Sequence, residues 1–142
     1  MIKPPPSPEN ASTQSDNASA VSSGVRWVRG ASRPAVVRAE PMPTLQRLVD
    51  RDAGSNEVTI LVNELSEGQR VAEHVHDVEE VLIVTSGQCS VQVGDETKIV
   101  GTGDAVIVRP NTPHGFRHVG TMSATTIIAV LASPDVQINA SS

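Results

Sequence analysis

Residues 68–87 read GQRVAEHVHDVEEVLIVTSG, and this stretch is the most informative part of the chain. Short runs that contain strand-favouring apolar residues lie on both sides of an Asp-Val-Glu segment, a pattern typical of two β-strands joined by a turn. His74 and His76 are two residues apart, so on a strand both imidazoles project from the same side. A hairpin closing through residues 77–79 would bring Glu80, on the partner strand, beside the two histidines.

The two adjacent glutamates after this turn are predicted to face opposite ways. Side chains alternate along a strand, so Glu80 shares a face with Leu82 while Glu79 points to the other side. We expect Glu79 to be solvated. His114 follows a Pro-Asn-Thr-Pro turn forty residues after His74, and this spacing alone does not show whether it joins the others.

The rest of the chain has the pattern of an all-β domain. From Val25 onward, short runs rich in Val, Ile and Thr alternate with Gly, Pro, Asn and Asp, and no window has a helical period. Many short strands with frequent turns predict a sandwich or a closed barrel. The predicted strands span residues 26–29, 35–38, 46–49, 57–65, 70–76, 80–85, 88–93, 97–100, 105–108, 114–119 and 123–131.

Length and composition predict one domain with a tail at each end. A chain of 142 residues with 38% hydrophobic residues is long enough for one modest core. Residues 1–24 are rich in Pro and Ser and poor in apolar side chains, which predicts a disordered N-terminal tail. We expect the barrel to span residues 25–134 and a C-terminal tail to span residues 135–142.

Charge and residue usage exclude several classes of function. The formal net charge is −5 without a basic block, so neither nucleic acid nor a membrane surface is an expected partner. The N-terminal residues contain no continuous apolar stretch, which predicts a cytoplasmic protein. The single cysteine, Cys89, excludes an intramolecular disulfide and a multi-cysteine zinc site, and its place in an alternating strand predicts a core residue.

Two motifs in this sequence resemble those of the cupin superfamily. The first runs from Gly68 to Gly87, with the His-Val-His triplet and Glu80 at the family spacing. The second reads GDAVIVRPNTPH over residues 103–114. It departs from the family pattern at Arg109, where proline is usual, at Asn111, where glycine is usual, and at His118, where asparagine is common. Asparagine tolerates the left-handed backbone conformation that glycine normally supplies.

The resemblance covers residues 57–131 and implies an antiparallel double-stranded β-helix, or jelly-roll barrel, of six to eight strands. It also implies a homodimer, which open sheet faces rich in residues such as Val81 and Ile83 would favour. It implies one divalent metal ion inside the barrel, with Fe, Mn, Ni, Co and Zn all compatible. The ligands that it implies are His74, His76, Glu80 and His114. One carboxylate offsets half of the ion's charge, so an anionic or enolisable small molecule is the expected substrate.

Two further residues are candidates for a catalytic role. Arg70 shares parity with His74 and, without a bulge, points into the barrel, where it would bind a substrate carboxylate; the alternative is a solvated arginine at the rim. His118 shares parity with His114 and Phe116, so it is a candidate acid or base, with Phe116 as a pocket wall. The alternative for His118 is a hydrogen bond to a nearby loop.

The sequence leaves the reaction open. The first hypothesis is a mononuclear metal-dependent enzyme on a small organic molecule, with a dioxygenase slightly favoured. Isomerases, lyases and cyclases are built on similar small barrels, and fold alone does not separate them. The second hypothesis is a non-catalytic module that binds or senses a small ligand.

Overall fold

The computed structural model describes residues 24–138 and contains nine β-strands in that range. The predicted disordered tail lies outside the described residues except for Gly24, as do residues 139–142. One 3-10 turn, Gly30–Ser32, precedes the first strand, and no helix in the described range is long and apolar enough to cross a membrane. The strands are β1 (Thr44–Val49), β2 (Thr59–Ser66), β3 (Arg70–His74), β4 (Glu80–Ser86), β5 (Gln88–Val93), β6 (Glu96–Gly101), β7 (Ala105–Val108), β8 (His114–Val119) and β9 (Ala124–Leu131).

The strands form two antiparallel sheets. One sheet has the order β1-β2-β9-β4-β7 and the other has the order β3-β8-β5-β6. The chain passes repeatedly from one sheet to the other, so residues distant in sequence meet between them. The all-β double-stranded β-helix predicted from the sequence is therefore confirmed, with nine strands where six to eight were expected.

The core lies between the two sheets and follows the pleat of the strands. Every second residue of β4 and β9 is buried, and β2 has the same pattern. Phe116 of β8 and Val91 of β5 complete the core from the other sheet. Cys89 is buried beside them, and burial raises the pKa of its thiol to about 12. A protonated thiol among apolar groups is unreactive, so the prediction of Cys89 as a core residue is confirmed.

Two of the predicted strands are wrong. Residues 26–29 and 35–38 form no strand, and their only ladder contact is an isolated bridge between Val36 and Leu45. Pro34 and Pro41 flank the second segment, and neither residue has an N–H to donate to a ladder. Val37 is 84% exposed, so the apolar character of this segment does not reflect strand burial.

The predicted hairpin between the histidines and Glu80 is also wrong. β3 pairs with β8, whereas β4 pairs with β7 and β9 in the other sheet. Residues 75–79 therefore carry the chain across the barrel rather than around a tight turn. Glu80 reaches the histidines from the facing sheet, a convergence that strand parity alone does not predict.

A register shift in β3 determines which of its side chains face the interior. The pairing with β8 shifts between Val71 and His74, as a β-bulge would cause, and both of these residues face the cavity inside the barrel. Gly115 allows the two strands to approach at this point. A Cβ atom there would lie 2.8 Å from the Val71 carbonyl oxygen and 3.1 Å from the Glu73 amide nitrogen.

The chain after β9 also packs against the barrel. Val136 is buried in the core, and Ile138 packs against it. Arg47 of β1 donates a hydrogen bond of 3.0 Å to the Val136 carbonyl, which fixes this segment. The core therefore extends beyond residue 134, the predicted end of the barrel.

We expect Gly115→Ala to lower the free energy of unfolding by about 1–3 kcal/mol, because the added methyl group forces β3 and β8 apart. Urea denaturation measures the change. Gly101→Ala is the matched control: its Cβ would meet Gln88 and Gly87 atoms at 3.7 Å, an ordinary contact, so we expect a change below about 1 kcal/mol. Equal losses at the two positions would contradict the close-approach argument.

Candidate metal centre

Four side chains meet at one end of the barrel, and they come from both sheets. His74 is the last residue of β3 and His114 is the first residue of β8, and the two are paired across the ladder. Glu80 begins β4 on the facing sheet. His76 lies in the loop after β3, so the prediction that both histidines belong to one strand holds only for His74.

The loops that carry His76 and His114 are tied together. The Asn111 N–H donates a hydrogen bond of 2.7 Å to the His76 carbonyl. Asn111 has φ 62°, the left-handed conformation expected where asparagine replaces the usual glycine. This contact holds the turn before β8 against the end of β3.

The donor atoms of these four residues lie close enough to share one ion. One ligand atom from each residue can be chosen so that all four lie within 4.8 Å of one another. Glu80 Oε1 is 2.7 Å from His114 Nε2, and Glu80 Oε2 is 3.9 Å from His76 Nε2. The ring centroids of His74 and His114 are 4.3 Å apart. The structure therefore brings together all four residues that the sequence motifs indicated.

The burial of this cluster favours a bound cation. Glu80 and His114 are 3% and 1% exposed. Within the described residues, Glu80 Oε1 and His114 Nε2 face each other without a hydrogen bond of acceptable geometry. A buried carboxylate oxygen and a buried ring nitrogen left in this way are costly, and a divalent ion between them satisfies both. Three imidazoles and one carboxylate are a donor set that first-row divalent ions accept.

Backbone carbonyls fix the tautomer of two of the rings. His74 Nδ1 lies 2.8 Å from the Ala72 carbonyl oxygen, and His114 Nδ1 lies 2.8 Å from the Thr112 carbonyl oxygen. A carbonyl only accepts, so each Nδ1 carries the proton and each Nε2 presents its lone pair to the cluster. This arrangement orients metal-binding histidines in many proteins.

Burial and charge shift the pKa values of the rings in different directions. Burial lowers the pKa of His74 and of His76, more than the Glu80 carboxylate raises either value. Burial also lowers the pKa of His114, but the Glu80 carboxylate and the Thr112 carbonyl outweigh it and the net pKa is raised. Neutral rings are the form that binds metal, so an ion would displace any proton held between His114 and Glu80.

The cluster opens into a small cavity of about 30 Å³. Apart from His74, His76 and Glu80, the polar residues that line it in the described part of the chain are Arg38 and Asn63. The other lining residues are apolar, and Phe116 is among them, as predicted for a pocket wall. The interior of this end of the barrel is therefore apolar except at the cluster and at two side chains opposite it.

The orientation predicted for Arg70 is wrong. That prediction assumed an unbroken alternation along β3, and the register shift after Val71 breaks it. Arg70 is exposed and lies on the outer face of the barrel, beside Glu73 and Arg117. Its predicted catalytic role therefore has no support from its position.

His118 also lies away from the four ligands. Its Nδ1 donates a hydrogen bond of 2.8 Å to Thr125 Oγ1, because that hydroxyl already donates to the Gln88 carbonyl. His118 is on β8 beyond Phe116 and does not line the cavity. The alternative role predicted for His118 is a hydrogen bond to a nearby loop. The hydrogen bond is present, but its partner Thr125 belongs to β9 and not to a loop. A catalytic role for His118 remains a prediction without geometric support.

Sequence patterns missed three residues that shape the site. Gly115 permits the approach of β3, but a glycine after a histidine gives no signal by itself. Asn63 faces inward from β2, and the alternation of side chains along the strand could have predicted this. Nothing in the sequence, however, links β2 to the cluster. Arg38 lies in a segment that the sequence assigned to a strand, and its approach to the cavity depends on tertiary packing.

These features define a small double-stranded β-helix protein with a candidate mononuclear centre of three histidines and one glutamate. Residues 61–130 match the family model described as Cupin domain. The chain belongs to the cupin superfamily. No curated protein matches the sequence significantly.

Several solved structures share the fold. The polyketide cyclase RemF from Streptomyces resistomycificus is 25% identical, with 78% of this chain and 80% of that chain covered and a TM-score of 0.63. A predicted oxalate decarboxylase from Thermotoga maritima is 16% identical, with 75% and 98% covered and a TM-score of 0.66. An uncharacterized protein with a double-stranded β-helix domain from Klebsiella pneumoniae is 21% identical, with 78% and 92% covered and a TM-score of 0.63.

We expect the wild-type protein to bind about one divalent ion per chain and His114→Ala to bind almost none, because the variant loses one of four donors and leaves Glu80 unpaired. Elemental analysis after dialysis against Co²⁺ or Mn²⁺ measures the stoichiometry. His118→Ala is the matched control on the same strand, and we expect it to keep the ion while losing about 1 kcal/mol of stability with its hydrogen bond. Full occupancy in His114→Ala would contradict the assignment.

Proposed function

We propose that this chain is a cytoplasmic metal-dependent enzyme that acts on a small anionic or enolisable organic molecule. The observation that carries the proposal is the buried Glu80–His114 pair, whose facing atoms have no hydrogen bond and lie among the other two imidazoles. Such a cluster is costly as a structural feature, and it borders a cavity rather than packed core.

The protein's own residues would position the ion and the substrate. His74 and His114 are held by backbone carbonyls, and the cavity beside the centre has mostly apolar walls. An ion bound there would supply Lewis-acid activation of a substrate oxygen and, if it is a redox-active metal such as iron, would also make dioxygen chemistry available. One carboxylate against two positive charges gives a net charge near +1, which favours an anion.

The cavity offers few side chains for proton transfer. Among the described lining residues, the titratable groups are His74, His76, Glu80 and Arg38; the first three are candidate ligands, and an arginine remains protonated at neutral pH. A reaction in this cavity would therefore depend on a proton that the substrate loses readily. Enolisable compounds such as 1,3-diketones and 2-oxo acids have such a proton.

Two reaction classes fit this chemistry. Oxidation by dioxygen is the first, and it requires a redox-active metal. A non-oxidative isomerisation, elimination or cyclisation is the second, and the likeness to RemF, described as a polyketide cyclase, favours it. Both classes use the same four ligands, so dioxygen dependence separates them.

We expect metal-loaded protein to convert at least one member of a panel of 1,3-diketones, catechols and hydroxy acids, with His74→Ala about 100-fold slower or inactive because the ion is lost. Product analysis by mass spectrometry and a dioxygen electrode measure turnover and oxygen uptake. Turnover without oxygen uptake would assign the non-oxidative class. Tight binding of a panel member without any turnover would contradict the enzyme and favour a binding module.

We also propose a homodimer that covers the outer face of the five-stranded sheet. The strand registers place aliphatic side chains in two rows on this face. Ile107, in one of these rows, is 62% exposed. A continuous apolar sheet face of this size is unusual for a monomer. The first row is Ile60, Val130, Val81 and Ile107, and the second is Val62, Ile128, Ile83 and Ala105.

We expect sedimentation velocity at micromolar concentration to give a dimer for the wild type and a monomer for Ile107→Lys, because a charge in the apolar row opposes its burial. Ile99→Lys is the matched control, since Ile99 is 67% exposed but lies on β6 of the other sheet. A monodisperse wild-type monomer would contradict the proposal.

A further inference from the structure

The cavity beside the cluster shares part of its lining with a larger groove on the surface. The groove has a volume of about 610 Å³ and is lined by the segment before β1, by β1 and by residues 136–138. Arg38, Leu45 and Ile138 line both the groove and the inner cavity. We call these three residues the neck, because they separate the two spaces.

The two volumes constrain how a substrate can bind. A water molecule needs roughly 10–15 Å³ of such space, so an inner cavity of about 30 Å³ holds one or two waters. The groove, in contrast, has the size of an ordinary small-molecule site. A substrate would therefore place only a small head group past the neck, and the rest of the molecule would remain in the groove.

The groove is positively charged although the chain is acidic. Arg33 and Arg47 line it and share one carboxylate, that of Asp50, at 2.8 and 3.1 Å. Arg38 adds a third positive charge, and no acidic residue lines the groove in the described part of the chain. Arginine is therefore the only charged residue type among the described residues that line the groove, whereas the whole chain has a formal charge of −5. This route attracts anions toward the cluster.

Arg38 is the arginine closest to the cluster, because it alone of the three also lines the inner cavity. Its Nε donates a hydrogen bond of 3.0 Å to the Pro43 carbonyl, which orients the guanidinium plane. A half-buried guanidinium binds carboxylates and enolates through paired hydrogen bonds. Asn63, which is 4% exposed, adds an amide on the cavity side of the neck.

We propose that Arg38 binds the anionic head group of an organic acid at the neck, so that the head group faces the metal cluster and an apolar remainder lies in the groove. The apolar residues of the groove, Pro34, Val36 and Val136, would contact that remainder. This inference rests on the proposed function and specifies its substrate as an organic acid with an aliphatic or aromatic body. It assigns to Arg38 the role that parity had given to Arg70.

Calorimetric titration of Co²⁺-loaded protein with pyruvate and with 2-oxohexanoate tests the proposal. We expect the longer acid to bind more tightly, because its extra methylene groups are buried in the groove. Arg38→Met should weaken both acids about tenfold or more and should reduce the loss of affinity between 50 and 500 mM salt. Arg38→Lys, which keeps the charge but not the planar fork, should give an intermediate affinity. The matched control Arg117→Met removes a charge from the outer face of β8 and should bind like the wild type.

The outcomes separate this inference from the proposed function. Equal affinities for Arg38→Met and Arg117→Met, or no binding of either acid by the loaded wild type at millimolar concentration, would overturn the role of Arg38. Metal-dependent turnover is measured independently and can persist in that case. If the wild type takes up no metal, the proposed function fails, and the same two variants compared in metal-free protein still decide whether Arg38 binds the acids.

Discussion

A buried carboxylate facing a buried imidazole is the interaction on which this site depends. The Glu80 carboxylate attracts the His114 ring and raises its pKa, but the 2.7 Å contact between Glu80 Oε1 and His114 Nε2 lacks good hydrogen-bond geometry. The pair lies at one end of the barrel, where His74 and His76 supply two more nitrogen donors. A divalent cation bound to all four donors at once would convert the cost of burying this pair into a stabilising interaction.

The two-sheet architecture makes this convergence possible without long flexible side chains. Both sheets contribute ligands: Glu80 starts β4 in one sheet, while His74 and His114 pair across β3 and β8 in the other. Backbone contacts complete the positioning, because the Ala72 and Thr112 carbonyls orient two rings. The donors are thus fixed by the same ladders and core contacts that fold the barrel, so the site is rigid even where His76 lies in a loop.

The sequence predicted the composition of the site better than its geometry. Period-two alternation correctly predicted that Glu80 is buried and Glu79 is exposed, because β4 is regular from Glu80 to Val84. The same reasoning failed for Arg70, because the register shift in β3 reverses the face predicted for each residue that precedes the shift. The inferred hairpin failed because adjacent strands can belong to different sheets, and sequence gives no sign of which strand pairs with which. The resemblance of the paired motifs, rather than spacing, was what joined His114 to the other ligands.

The division between ligands and neck explains why family membership does not define the substrate. The match to the family spans residues 61–130, which include all four candidate ligands. Arg38 and Leu45 precede that range and Ile138 follows it, so all three neck residues lie outside the residues matched by the family. Arg38 and Ile138 lie outside the strands, where fewer ladder contacts depend on a residue and changes are better tolerated, whereas Leu45 belongs to β1 and packs in the core. Under our proposal, substitutions at Arg38 or Ile138 would therefore alter which molecule reaches the metal cluster, while the four candidate ligands lie within the range matched by the family.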